Sequence, residues 1–496
     1  MKFNNKKSYR APCVILIMFA LASLLIYGCD CTQPQTGTVS GIVTLSNESG
    51  NPENDPADFA GVTIALYEPA QLDSTIARIN SEHPNIGVII SQETEFDHRE
   101  STPVAQAISA ADGSYLLPEV EPGTYNLVFL KDGWGFSYQY GIQVVAGEDN
   151  SDNDSVLYAT AAIPATVLEP FTFASDRVYF ITESTNFIQG VTLMPRATIC
   201  IAAGVAVRFH GAVATPEATS FNVAWKFLAA RDIYSATTTE VAPEDYFGAL
   251  MFYQNGLEIS NGIIRQINAG VSFQSSFSTI SNLLITDCGC GLIMPQGNAA
   301  INHVVIANSY DVSSAGIDIQ SGSASSSEIR NSIIVYMYEG ITLETLGTYT
   351  IDNCYLQGNW HAIALGYSGG DITHNAFNAN GFDFMQYSVD TPTEVSYNNF
   401  FRSTYLAVRP WFVAMINNNN FYRTEGYFVS IRNEALFNNT SVRDNIDATN
   451  NYWAVSNIDA YIADATDNPQ NPGEECPYYV IYNPKRSSPV PTAGIQ

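Results

Sequence analysis

The ionisable and aromatic side chains with the most chemical potential gather late in the chain. Arg402 and Arg423 hold the same place in two successive repeats of a short phrase, so they should stack one repeat apart, with Arg409, Arg432 and Arg443 close by. Asp383, Glu425 and Glu434 could pair with them. Trp360 and His361 directly precede the small residue Ala362, and Glu339 holds the equivalent slot one repeat earlier. Aromatic faces beside Arg and carboxylates are what a sugar-binding groove requires. Two adjacent Arg side chains repel unless an anion or carboxylate lies between them, which is the sharpest local hint of a site. The plain alternative is exposed ion pairing along a solvated face, where each pair contributes little. A clustered acid/base set for cleaving a glycan cannot be assembled from these residues.

Other ionisable runs carry less. Asp149, Asp152 and Asp154 lie in an acidic stretch that could hold Ca²⁺ through oxygen ligands. That stretch lacks the Gly and closing Glu of an EF-hand loop, and a solvated loop explains it equally. Asp97-His98-Arg99-Glu100 reads as an exposed charged loop. The net charge of −28 repels nucleic acid and anionic lipid, so neither is an expected partner. The 8 Cys residues form no dense framework and include no C-x-x-C pair, so neither a disulfide scaffold nor structural zinc is expected. Cys288 and Cys290 share a strand face and read as space-fillers.

The elements that would position the late cluster are repeats. An aliphatic residue, a polar residue two positions on and an apolar residue three further recur from Ile259, Ile280, Ile301, Ile329, Ile351, Ile372, Val395, Ile416 and Val442. The spacings are 21, 21, 28, 22, 21, 23, 21 and 26, a period that marks stacked repeats. Within each repeat the apolar residues alternate, giving strands of about three to five residues and no room for a helix. The leucine-rich alternative would show Leu-x-x-Leu-x-Leu, which is absent. A strand-turn-strand coil of a parallel β-helix fits, with inward residues in columns and stability drawn from stacking. Asn at the second position tolerates a left-handed corner. Asn375, Asn398, Asn419 and Asn445 at the third position are expected to form a hydrogen-bonded structural ladder.

This pattern, from near Val178 to near Pro484, resembles the right-handed parallel β-helix of the pectin-lyase-like superfamily. The closing phrase Asn450-Asn451-Tyr452-Trp453 is similar to the end of many bacterial β-helix surface proteins, with Ala454 where Gly is usual and a short helix expected at Ile458–Ile462. The resemblance implies that any site lies outside one strand sheet, in a groove walled by loops. Relatives that cleave polygalacturonate carry paired Asp residues and a Gly-His-Gly phrase. Neither occurs here, and Gly369-Gly370-Asp371 reads as a lone turn.

The N-terminal third differs. Lys2, Lys6, Lys7 and Arg10 precede an apolar run, Val14 to Tyr27, too short for a confident membrane span. Ile26-Tyr27-Gly28-Cys29 resembles a bacterial lipobox, which implies lipidation of Cys29, a membrane anchor through that lipid and a place in the bacterial cell envelope. Residues 29–37 read as a tether. Asp112-Gly113 and Pro122-Gly123 are turn signals, each followed by an apolar strand. Ala111-Asp112-Gly113-Ser114-Tyr115 and Val120-Glu121-Pro122-Gly123-Thr124-Tyr125 resemble the carboxypeptidase-regulatory-like domain, a transthyretin-like antiparallel β-sandwich. An insertion near residues 69–104 interrupts it.

The expectation is therefore an all-β chain. A leader spans 1–28, a sandwich 38–164, a right-handed parallel β-helix 165–466 and a C-terminal extension 467–496. The function expected is non-catalytic binding of a polysaccharide or glycan by a cell-surface lipoprotein with no obligatory cofactor. A polysaccharide lyase or hydrolase, and an adhesion or envelope-structural protein, are the alternatives.

Overall fold

The computed structural model describes residues 36–47, 55–160, 163–215, 221–238, 241–309, 313–320, 326–344, 347–367, 369–387, 392–410, 415–422, 424–431, 445–464 and 479–496. Half of the residues (50%) are in strands and 6% in helices, and a right-handed parallel β-solenoid of about 11 turns dominates. Antiparallel sheets precede it. Gly37–Ser46 pairs with Ser114–Val120, and Thr63–Tyr67 lies between Ala105–Ile108 and Gly123–Lys131. Val39, Val43, Ile64, Leu66, Leu117, Leu127 and Phe129 form the core between these sheets.

The solenoid follows from its columns. Ile259, Ile280, Ile301, Ile329, Ile351, Ile372, Val395 and Ile416 are register partners from coil to coil, and all are buried. Ile264, Ile285, Ile306, Ile334, Leu356, Phe377, Phe400, Phe421 and Trp453 form a second column. In its last part the rings stack nearly parallel, with centroids 4.9, 4.8 and 4.3 Å apart. Each buried side chain of this kind contributes about 1.5–3 kcal/mol.

Among the described residues, successive coils turn at left-handed corners. The first holds Asn261, Asn282, His303, Asn331, Asn353, His374, Tyr397 and Asn418, with φ between 47° and 59°. The second holds Gln266, Asp287, Asn308, Tyr336, Gly358, Ala379 and Arg402. Beside the first corner runs the Asn ladder. Asn375 N–H donates to Asn398 Oδ1 at 2.9 Å, and Asn398 N–H to Asn419 Oδ1 at 2.8 Å. The next rung is Asn451, which accepts from Asn419 N–H at 2.8 Å. Asn445 was expected there, but its Oδ1 instead accepts from Tyr479 N–H. The repeat skips register here: Asn420–Phe421 pairs with Tyr452–Trp453, so the rung shifts to the closing phrase.

Three further expectations are corrected. Asp97, His98 and Arg99 are buried rather than in an exposed loop. Besides each other and Tyr138, they bond Ile233, Ala229, Arg231 and Gln266, each more than a hundred residues away, which no local reading can see. Gly369–Thr373 is a strand rather than a turn, so Asp371 stands in register with Thr350 and Glu394. Near the end, the expected short helix is a 3₁₀ turn, Asp459–Tyr461.

The insertion supplies helix α1 (Ser74–Glu82), capped by Asp73, whose carboxylate accepts from Thr75 and Ile76 N–H at 2.9 Å. His83 ends it because the residue before Pro84 favours extended backbone. Ile76 and Ile79, with Ile86, Val88 and Ile90, press onto the outward-facing Ile263, Leu284, Val305 and Ile333. The insertion therefore covers one outer face of the solenoid. Farther along that face the C-terminal residues lie back across the coils. Asn420 both donates to Val490 O at 3.1 Å and accepts from Val490 N–H at 2.7 Å, and Asn399 donates to Ala493 O.

Candidate functional site

The second long sheet has an uncovered outer edge. Glu339, His361, Phe382, Leu406 and Tyr427 are register partners on five successive coils. The residues just before them are Tyr338, Trp360, Gly381, Tyr405 and Gly426. These two rows make an aromatic strip. Tyr338 is 37% exposed, Trp360 39% and Tyr405 49%. Tyr338 stacks on Trp360 with centroids 6.4 Å apart, and Phe382 stacks on Tyr405 at 5.4 Å. Trp360 meets Tyr405 edge to face at 5.3 Å. Gly381 makes this possible, since a Cβ there would lie 3.2 Å from the indole carbon Cε3 of Trp360.

The strip opens into a cleft of about 460 Å³ lined by Tyr336, Tyr338, Trp360 and Tyr405. A second cleft of about 280 Å³ continues it through Thr404 and Tyr405 to Phe382, Arg409, Glu425 and Tyr427. Concave sites with aromatic walls and a few polar groups are the usual form of ligand pockets. The polar groups are paired across coils. His361 Nδ1 lies 3.7 Å from Glu339 Oε1, and Thr342 donates to Glu339 Oε2 at 2.7 Å. The imidazole and the hydroxyl hold the Glu339 carboxyl below its ordinary pKa, against partial burial. His361 Nδ1 is itself buried with no hydrogen-bond partner among the described residues.

Thus the structure brings Glu339, Trp360, His361, Arg409 and Glu425 onto one surface. It separates the rest of the expected set. Arg402 stands at a left-handed corner and lines a different cleft of about 590 Å³, floored by Tyr355, Gln357, Asn378 and Asn399 and walled by α1 and Ile495. The ridge of Tyr336, Gly358, Ala379 and Arg402 lies between the two clefts, and Ala379 lines both. Arg423, Arg432, Glu434 and Arg443, like Cys29, lie outside the described residues.

Asp383 is not in a groove at all: it is fully buried beneath the strip. A second Asn ladder explains it. Asn359 N–H donates to Asn380 Oδ1 at 2.9 Å, Asn380 Nδ2 donates to Asp383 Oδ1 at 2.9 Å, and the Ser403 hydroxyl donates to Asp383 Oδ2. Burial pushes the Asp383 carboxyl up to about 7, opposed by these two donors. The acidic stretch is likewise occupied. Asp149 accepts from the Thr38 hydroxyl and Asp154 from Ile42 N–H. Asp152 takes a left-handed backbone, and among the described residues no three His, Cys, Asp or Glu converge as metal ligands.

Sequence reasoning missed Tyr338, Phe382, Tyr405 and Tyr427. The signal was available: in four coils the two residues before the inward strand are Tyr-Glu, Trp-His, Gly-Phe and Tyr-Leu, with Gly-Tyr in the fifth. Following the slot of Trp360 and His361 forward by one coil at a time would have found them. No family model, curated protein or solved structure matches the chain. Among the described residues no helix is long and apolar enough to cross a membrane.

Proposed function

We propose that this chain is a cell-envelope lipoprotein that binds carbohydrate without turning it over. One observation carries the reading: an uncovered strip of aromatic rings on five coils, bordered by the Glu339–His361 pair and by Arg409 and Glu425. Exposed aromatic faces with flanking hydrogen-bonding groups suit the apolar faces and hydroxyl edges of sugar rings. The leader and Cys29 support attachment through lipid, and the two turn motifs support a carboxypeptidase-regulatory-like sandwich acting as spacer beside a pectin-lyase-like β-helix. Binding requires no cofactor, and Ca²⁺ bound near Asp149, Asp152 and Asp154 would leave it unchanged.

The test uses residues 30–496, freed of the anchor, with plant, algal and bacterial polysaccharides, with and without Ca²⁺. Affinity gels read retention, and assays for reducing and unsaturated ends read turnover. Retention without turnover is expected, weakened about tenfold by Trp360→Ala, equivalent to about 1.4 kcal/mol. Turnover abolished by His361→Ala would replace this reading with an enzyme using Glu339 and His361 as its acid–base pair. An absence of retention would favour adhesion or an envelope-structural role.

A further inference from the structure

The strip has a direction and a charge balance, and both bear on its ligand. The five register partners from Glu339 to Tyr427 lie on successive coils, so the rings run parallel to the solenoid axis. At the strand spacing of about 4.8 Å, the row extends over roughly 19 Å. A compact or branched sugar would meet one or two rings. A linear chain laid along the axis would meet all of them.

The ionic groups on the strip are already engaged with the protein. His361 faces Glu339, Thr342 donates to the same carboxylate, and Arg409 has interactions of its own. Arg78 and Arg402 lie across the corner ridge, in the other cleft. Along the described strip Arg409 stands against two carboxylates, Glu339 and Glu425, so no excess of positive charge meets a row of ligand carboxylates or sulfates. The chain as a whole, at −28, repels such polymers. Neutral hydroxyls do find a place. The Glu339 side chain is partly exposed beside the rings, so its carboxylate can accept from a sugar hydroxyl.

We infer that the strip takes an uncharged, linear polysaccharide lying parallel to the solenoid axis across Tyr338, Trp360, Phe382 and Tyr405. This rests on the carbohydrate-binding reading and narrows it. The test is calorimetric titration of the anchor-free protein with neutral oligosaccharides of increasing length (β-1,4-linked glucose, mannose and xylose series) and with oligogalacturonates, at low and high salt. Affinity for one of the neutral series should rise with length and level off once the strip is filled. It should change less than twofold with salt and fall about tenfold in Trp360→Ala. Tyr405→Ala, also at an exposed ring, should lower the affinity of long oligomers more than that of the dimer. If only oligogalacturonates bind, and salt weakens them strongly, the inference fails while glycan binding stands. If a glycan binds but ignores both substitutions, the strip is not its site and the inference fails; if nothing binds, the glycan reading itself falls.

Discussion

The two long outer faces of this solenoid come from one repeat, yet one is covered and the other bare. On the covered face Ile263, Leu284, Val305 and Ile333 point outward and meet Ile76, Ile79 and Ile86 of the insertion. On the bare face Tyr338, Trp360 and Tyr405 point outward, touch one another, His361 and Phe382, and stay partly exposed to solvent. Both rows are apolar, so hydrophobicity alone does not separate an interface within the chain from a surface left for a partner. What separates them is residue type. Branched aliphatics fit a packed interface, whereas rings with polar tips tolerate water.

The same contrast holds for charge. Under the covered face, Arg99 is paired with Asp97 at 2.5 Å and donates to Ala229 O at 2.8 Å, Arg231 O at 2.9 Å and Gln266 Oε1 at 3.1 Å. Beside it, Arg265 pairs with Glu95 at 2.5 Å. His98 is held neutral between chain segments: its Nε2 donates to Ile233 O, its Nδ1 accepts from the Tyr138 hydroxyl, and burial lowers its pKa to about 4. Under the bare face, Asp383 has only neutral partners.

Breaking the covered side should have the largest effect. Arg99→Met leaves Asp97 buried without its cation and should cost about 3–5 kcal/mol. Burial alone would raise the Asp97 carboxyl, but Arg99 holds it well below the usual carboxylate range. That contribution is present above the unfolded value of about 3.9 and is lost as pH falls below it. Chemical denaturation should thus show a wide gap between wild type and variant at neutral pH that narrows in acid. Earlier proteolysis within residues 69–104 should accompany it. An unchanged midpoint would mean the insertion does not depend on this pair to stay docked.

A smaller effect should be equal on the two faces, because it lies inside the coils. Asn419→Ala removes a rung from the first ladder and Asn380→Ala one from the second. Each leaves buried backbone groups unmatched, at about 1–3 kcal/mol. Similar losses in thermal unfolding would place the difference between the faces outside the repeat. Asn380→Ala should also weaken glycan retention, since Gly381 and Phe382 follow it directly. Asn419→Ala should not.

How much was legible follows from the same distinction. The inward columns repeat at fixed offsets, so Ile259 predicts Ile280 and Ile301, and the left-handed corner predicts Asn261 and Asn282. These features are local to one coil and are multiplied by stacking. The insertion was opaque because its partners belong to coils far along the chain: Arg99 reaches residues 229, 231 and 266. The strip was half legible. Glu339, Trp360 and His361 were visible by type, whereas Arg402 looked equivalent until the corner at its own position turned it to the other side. Asp383 looked like a groove carboxylate because nothing in sequence marks Asn359 and Asn380 as a second ladder leading to it.

Asp383 also offers the finest test of the contrast, because its electrostatics run opposite to those of Asp97. Burial raises its carboxyl to about 7 rather than lowering it. The folded state therefore favours the protonated form, and its contribution to stability is full below the unfolded value of about 3.9 and lost as pH rises through 7. Asp383→Asn removes the charge. The new amide can keep its carbonyl toward Asn380 and donate to the Ser403 oxygen. A shift of this size corresponds to about 4 kcal/mol at most. The hydrogen bonds from Asn380 and Ser403 are already counted in that shift, so this is the ceiling on the gain expected at pH 8, and the gain fades to nothing near pH 4. Asp97→Asn should behave in the reverse sense, with a loss at pH 8 that shrinks in acid. Thermal melts of the two variants across that range decide the matter. If Asp383→Asn destabilises at pH 8 as Asp97→Asn does, the bare face rests on an ionised carboxylate after all, and the electrostatic contrast between the two faces disappears.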